Sequence, residues 1–127
     1  MKQLLVLVTA FILAAPALAQ DEAEEFVVVL PDDAQKCVLP ASPDAIPENA
    51  TLDQLKEAKA DIAQFQAQVE AFRGCLQEAE ANPENTPGNK QALVQSYNYS
   101  VEMEERVATR FNEAVRDYKA RKAAAEG

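Results

Sequence analysis

The chain has 127 residues, enough for one domain, and a formal net charge of −9 at pH 7. A surface this acidic repels phosphate backbones, which argues against a nucleic-acid partner. The sequence contains no histidine, the side chain that most often serves as a general base or a metal ligand near neutral pH. We therefore expect a non-enzymatic protein without a metal or a cofactor, and no residue is a candidate for catalysis.

The first 19 residues have the pattern of a cleavable signal peptide. Lys2 supplies a basic start, residues 4–15 form an almost unbroken apolar run, and Ala17-Leu18-Ala19 is the small-x-small motif that precedes cleavage before Gln20. The apolar run is shorter than the roughly 20 residues that span a bilayer. This favours a signal peptide over the alternative, an uncleaved membrane anchor. We predict an exported, periplasmic protein with no membrane span after cleavage.

Residues 20–50 begin with an acidic start and continue as a proline-rich arm, residues 32–50. Between them lies the β-branched apolar run Phe26–Leu30. This run either lies as an extended strip on the helices or binds a partner, and we favour the first because an isolated strand has no independent stability. Proline disfavours helix at and before its own position, so we predict an extended arm without helix.

Two helices follow, over about 51–81 and 87–124, and the segment between them has the composition of a turn. In the first helix the apolar residues are spaced alternately three and four apart, which is the heptad pattern of a coiled-coil seam. They are Leu55, Ala58, Ile62, Phe65, Val69, Phe72, Leu76 and Ala79. The second helix has a wider stripe, interrupted by Glu104: Leu93, Val94, Tyr97, Val101, Val107, Ala108, Phe111, Ala114, Val115 and Tyr118.

A short turn between two long amphipathic helices predicts an antiparallel hairpin. With the turn at 82–88, facing residues have numbers that sum to about 170, which pairs Leu76 with Val94 and Val69 with Val101. The predicted fold class is therefore all-α. It is a coiled-coil-like antiparallel helical hairpin over residues 51–124, with an extended Pro-rich N-terminal arm joined to it by one disulfide.

The disulfide is predicted between Cys37 and Cys75, the two cysteines of the chain, because an even count in an oxidising compartment favours pairing. Two free thiols or intermolecular pairing are the alternatives. From Thr51 to Cys75 the helix is about 36 Å long, and the segment from Cys37 to Thr51 can reach at most about 46–50 Å. A bridged arm must therefore double back along the first helix. Gly74 either lets the arm approach closely or is a tolerated surface glycine.

Three polar or aromatic features could carry a function. Glu104 is either a buried acid used in binding or, as we favour, it reaches Gln66 or a basic group opposite, or lies where the hairpin is locally open. Tyr97 and Tyr99 either form an aromatic patch or, as we favour, belong to the core and its edge. The acidic clusters at 21–25 and 102–105 lack the ligand spacing of a calcium loop, and we interpret them as solvated.

Several short motifs also occur together in a known group of proteins. They are Cys37-Val38-Leu39-Pro40, Ile46-Pro47, Cys75-Leu76, Tyr97-Asn98, Val101-Glu102-Met103 and Arg110-Phe111-Asn112. In these motifs the chain resembles an uncharacterised family of small exported helical-hairpin proteins of Gram-negative, mainly alpha-proteobacterial, bacteria. The resemblance implies a periplasmic location and a hairpin fold, and it implies no activity.

These patterns together predict a non-enzymatic periplasmic interaction or structural protein. It would bind a protein partner or associate with itself, and a homodimer that forms a four-helix bundle is one such arrangement. The alternative is a holdase-like periplasmic chaperone, which would use an exposed apolar groove between the helices.

Overall fold

The computed structural model describes residues 27–127, so the predicted signal peptide, the acidic start and Phe26 lie outside the described residues. The all-helical prediction is confirmed. The chain forms α1 (Asp32–Gln35), α2 (Leu52–Glu80) and α3 (Pro87–Glu126), and residues 27–127 contain no strand. In the same range no helix combines the length and the apolar character that crossing a membrane requires.

Both long helices begin at a capping box. The Thr51 hydroxyl accepts a hydrogen bond from the backbone N–H of Gln54, whose side chain accepts one from the N–H of Thr51. Thr86 and Asn89 make the same reciprocal pair at the start of α3, where Pro87 occupies the first helical position. These bonds satisfy N–H groups that a helix start leaves unpaired, and they fix where the two helices begin.

The short helix α1 corrects the prediction that all of residues 32–50 is extended. The Pro31 carbonyl accepts hydrogen bonds from the N–H groups of Ala34 and Gln35. Asp32 and Asp33 occupy the first turn, where carboxylates interact favourably with the helix dipole. The prolines that oppose helix formation begin only at Pro40, so nothing prevents one helical turn before them.

Two apolar clusters join α2 and α3. Phe72, Leu76 and Ala79 of α2 pack with Leu93 of α3 and with Ala34 of α1. The second cluster contains Phe65 and Val69 of α2 with Met103 and Val107 of α3. Residues late in α2, such as Leu76, therefore contact the early part of α3 at Leu93. Residues earlier in α2, such as Phe65, contact a later part of α3 at Val107.

The apolar seam of α2 is close to its prediction, and that of α3 is not. Six of the eight predicted α2 residues are buried, and Ala58 and Ile62 are half-buried. On α3 the buried line passes through Leu93, Ser100, Met103 and Val107. Leu76 and Val94, which the sequence pairs, line one cavity between the helices, but Val94 is exposed. The buried neighbours on α3 are Leu93 for Leu76 and Met103 for Val69, because the apolar stripe of α3 is wider than one neighbouring helix can cover.

The predicted disulfide between Cys37 and Cys75 is present, and it holds the two Cα atoms 5.6 Å apart. Cys37 and Leu30 pack beside the cluster of Phe72 and Leu93. A side chain at Gly74 would meet no atom within 4 Å. The idea that Gly74 permits close approach of the arm is therefore wrong, and this glycine is a tolerated surface residue.

Beyond the disulfide, residues 38–47 adopt neither helix nor strand. Asn49 has a φ of 56°, in the left-handed region that asparagine tolerates better than most residues. It lies in the turn that leads into α2. The carbonyl of Ala50 accepts a hydrogen bond from Arg121 Nη2 at 2.7 Å, which ties the end of the arm to the last turns of α3.

Candidate interaction surface

Large apolar side chains remain exposed at four places in the described chain. These are Val27–Val29 before α1, Val38 and Leu39 after the disulfide, Leu52 at the start of α2, and Val94, Tyr97 and Tyr99 on α3. Val94 and Tyr97 differ from the others because they adjoin buried apolar side chains of two helices. They therefore combine an exposed apolar surface with a rigid support.

Leu76 and Leu93 form the floor of an open groove between α2 and α3. Both side chains are buried, whereas Val94 and Tyr97 beside them are 54% and 37% exposed. We call these four residues, with Gln77, Glu80 and Asn98 at the edges, the α2–α3 groove; its volume is about 320 Å³. No residue of the arm lines it. The favoured interpretation of Tyr97 as a core residue is therefore wrong.

A polar cluster lies next to the groove, where it contacts Tyr97. Arg73 Nε donates a hydrogen bond to Ser100 Oγ at 2.9 Å, and Ser100 Oγ donates to the Tyr97 carbonyl at 2.6 Å. The Arg73 guanidinium also lies 5.6 Å from the centre of the Tyr97 ring, within the range of a cation–π contact. These contacts position Tyr97 at the rim.

Glu104 completes this cluster by reaching a basic group opposite, one of the alternatives the sequence left open. Its Oε2 lies 2.8 Å from Arg73 Nη2, although the N–H bonds of that nitrogen do not point at a hydrogen-bond acceptor. The contact is thus an ion pair without a well-directed hydrogen bond. Both side chains are partly exposed, at 20% and 29%, so water screens the pair.

The cluster offers no nucleophile–base pair. The Ser100 hydroxyl proton is committed to a backbone carbonyl, and Arg73 can only donate. The sequence did not single out Arg73, and Ser100 was not expected in the core. Ser100 does lie seven residues from both Leu93 and Val107, so its heptad position could have indicated that it is buried.

A second cavity, of about 210 Å³, lies between the arm and the two long helices. Apolar side chains, among them Ile62 and Val107, line it together with the charged residues Asp44, Glu57, Asp61 and Arg110. All four are exposed, so nothing holds them in a fixed binding geometry. Ile46 of the arm is half-buried in the lining. This cavity marks the place where the arm packs onto the helices.

The remaining predicted residues do not form a site. Cys37 and Cys75 are joined to each other. Glu102 and Glu105 are exposed, and within residues 27–127 no group of acidic side chains and cysteines is arranged to hold a metal ion. Tyr99 is 49% exposed and lies under Arg106, whose guanidinium carbon is 5.9 Å from the ring centre. The acidic cluster at 21–25 lies outside the described residues.

No family model matches the chain, and no curated protein or solved structure matches it. Its function therefore has to be inferred from the α2–α3 groove, the disulfide and the composition of the sequence.

Proposed function

We propose that the chain is a non-enzymatic periplasmic interaction protein that presents the α2–α3 groove to a protein partner. The observation that carries this proposal is the groove itself, where exposed Val94 and Tyr97 border the buried side chains of Leu76 and Leu93. An exposed apolar patch on a rigid support is characteristic of interaction sites.

An antiparallel hairpin is the arrangement of α2 and α3 on which the proposal rests. It is supported by the order of the contacts, since Leu76 shares a cluster with Leu93 and Phe65 shares one with Val107. The short segment between Glu80 and Pro87 supports it as well.

The extended course of the arm after α1 belongs to the same proposal. Cys37 is bonded to Cys75 near the end of α2. Ile46 and Pro47 line a cavity with Ala58 and Val107, and Ala50 lies beside Arg121. These contacts support an arm that runs back along the helices and leaves the α2–α3 groove open.

A periplasmic location is supported by two features. The Cys37–Cys75 disulfide is stable in an oxidising compartment and rare in the cytosol. The apolar run at residues 4–15 has the composition of a signal peptide. The absence of histidine from the sequence supports a role without catalysis, and so does the engagement of Ser100 in hydrogen bonds.

The test is site-specific photo-crosslinking in cells, followed by mass spectrometry. A photoreactive amino acid replaces Val94 in one variant and Val38 in a matched control, because Val38 is an exposed valine on the arm. We expect a discrete partner to be crosslinked from position 94 and not from position 38. Crosslinks of equal yield from both positions, or none from position 94, would contradict the proposal.

A holdase-like periplasmic chaperone is the second candidate, because the apolar groove could bind unfolded chains. That function predicts a broad spread of crosslinked clients in place of one partner. It also predicts that stoichiometric amounts of the protein suppress the aggregation of an unfolded client. Val94→Asp should abolish that suppression, whereas Val38→Asp should not.

A further inference from the structure

The arm is shielded from water at every third position after the disulfide begins it. The buried or half-buried side chains are those of Cys37, Pro40, Pro43 and Ile46, and the two residues between each of them and the next are exposed. A repeat of three residues is that of the polyproline II helix, which has three residues per turn and no internal hydrogen bonds. The burial pattern therefore indicates this backbone for residues 38–47, which we call the strap.

Strong contacts hold the strap at its two ends only. Before it, Cys37 is bonded to Cys75 and follows α1, which packs in an apolar cluster. After it, Arg121 Nη2 donates a hydrogen bond to the carbonyl of Ala50 at 2.7 Å, next to the capped start of α2. Between these ends, no hydrogen bond joins the strap to another residue of the described chain.

The strap also packs loosely against the helices. Ala45–Pro47 line the cavity of about 210 Å³ and also a further cavity of about 290 Å³, which Arg110 and Arg121 line from α3. Side chains beside empty space lack part of the dispersion contacts of a close-packed interior. A segment with few buried side chains and no hydrogen bonds opens at a lower free energy than the core does.

We propose that the strap detaches from the helices while its two ends stay in place, and that Arg121 holds it closed. Detachment exposes the apolar side chains that line the 210 Å³ cavity from the helices, which are Ala58, Ile62 and Val107. Val69 shares a cluster with Val107 but is fully buried and does not line the cavity, so it stays covered. This cavity shares no residue with the α2–α3 groove, and the inference does not depend on the proposed function.

Methyl relaxation-dispersion NMR of the oxidised protein measures the detachment. We expect exchange on the microsecond-to-millisecond timescale of lid opening at the methyl groups of Ile46, Ile62 and Val107. One rate should describe all three, with an open population of about 0.1–10%. The methyl groups of Val69 should show no such exchange, because the helix pair around them stays closed.

Variants test the role of Arg121 and the backbone of the strap. Arg121→Met removes the hydrogen bond to Ala50 and should raise the open-to-closed ratio at least about fivefold. Arg116→Met, at an exposed arginine of the same helix, should leave the ratio unchanged. Ser42 is exposed on the strap, and Ser42→Pro should lower the ratio about two- to fivefold because proline restricts the detached chain. Ser42→Gly should raise it by a similar factor.

Digestion of the oxidised protein with an elastase-type protease gives a second measurement that does not depend on the exchange rate. Cleavage after Ala41 or Ala45 should follow the same order among the variants, because cleavage of a briefly opened segment tracks its open population. Three results would overturn the inference. They are a cleavage rate that Arg121→Met leaves unchanged, exchange at Val69 equal to that at Ile62, and an open-to-closed ratio that Ser42→Pro raises.

Discussion

At the scale of single residues, Arg73 is the side chain that links the two helices through polar contacts. It touches Ser100, Glu104 and the ring of Tyr97, and it does so beside the buried residues of the seam. Because Arg73 contacts both Ser100 and Glu104, these two polar side chains can lie at an otherwise apolar interface. The same contacts set the position of Tyr97 at the rim of the groove.

The first prediction concerns this cluster. Arg73→Met retains an unbranched side chain but removes the guanidinium group that contacts Ser100 and Glu104. It should therefore lower the free energy of unfolding by about 1–2 kcal/mol. The ion pair is partly exposed and screened. A double-mutant cycle with Glu104→Gln should therefore give a coupling energy of about 0.5–1 kcal/mol.

Urea unfolding of the two single variants and the double variant measures this coupling energy. Arg116→Met is the control, because Arg116 is an exposed arginine of α3; it should change the unfolding free energy little. A coupling energy of zero would show that the Arg73–Glu104 contact contributes nothing to stability.

The second prediction concerns Gly74, which lies inside α2 with open space around it. Gly74→Ala should raise the free energy of unfolding by about 0.5–1 kcal/mol, because alanine loses less backbone entropy in a helix. The reverse change on an exposed residue of the same helix, Ala71→Gly, should lower it by a similar amount. Thermal unfolding measures both, and a destabilising Gly74→Ala would indicate that another segment approaches α2 there.

At the scale of elements, α2 could be predicted from its sequence better than α3. The apolar residues of α2 form one narrow stripe, so the period alone identified its buried face, including Phe65, Val69 and Leu76. The stripe of α3 covers a wider angle, and sequence alone does not say which part of it α2 covers. For this reason the α2–α3 groove, with Val94 and Tyr97, could not be located before the helices were placed.

The disulfide, the helix α1 and the partner of Glu104 also differ in how well the sequence predicts them. The Cys37–Cys75 bridge could be predicted, because two cysteines in a chain that is predicted to be exported leave few alternatives. The helix α1 could not, since four residues are too few to show a helical period. The sequence allowed several partners for Glu104. Which of them it contacts depends on how the two helices are rotated about their axes, and that rotation brings Arg73 beside it.

The third prediction compares the middle of the helix pair with the end near Phe111. Phe65 is buried in a cluster with Val69 and Met103, whereas Phe111 is half-buried. Phe65→Ala should therefore lower the free energy of unfolding by about 3–5 kcal/mol, and Phe111→Ala by clearly less, because part of its ring already contacts water. Chemical denaturation compares the two variants, and equal losses would show that the end near Phe111 is packed as tightly as the middle.

At the scale of the whole molecule, the disulfide joins the arm to the helical pair. The Cys37–Cys75 bridge spans 38 residues, and in the chain-entropy model such a loop stabilises the folded state by about 3–4 kcal/mol. That is a large share of the roughly 5–15 kcal/mol by which a typical domain is stable. The crosslink compensates for a core that consists of little more than one seam between two helices.

The fourth prediction follows. The double variant Cys37→Ser, Cys75→Ser should lose about 3–4 kcal/mol of unfolding free energy, and reduction of the unaltered protein should cause the same loss. Limited proteolysis of the double variant should cut within residues 38–47, which have no helical hydrogen bonds to protect them. Unchanged stability after reduction would mean that noncovalent contacts alone hold the arm in place.

The contacts of Arg73 and Arg121 also set an order of folding. The bond from Arg73 to Ser100 joins residues 27 apart in sequence, and that from Arg121 to Ala50 joins residues 71 apart. Closing a longer loop costs more entropy, and chains with nearer contacts fold faster. The contacts between α2 and α3 should therefore form first near the turn at residues 81–86 and then progressively farther from it. Local unfolding of the native state should begin at the opposite end, where Arg121 contacts the arm. The helices near the turn should then stay paired while the far end opens and closes again.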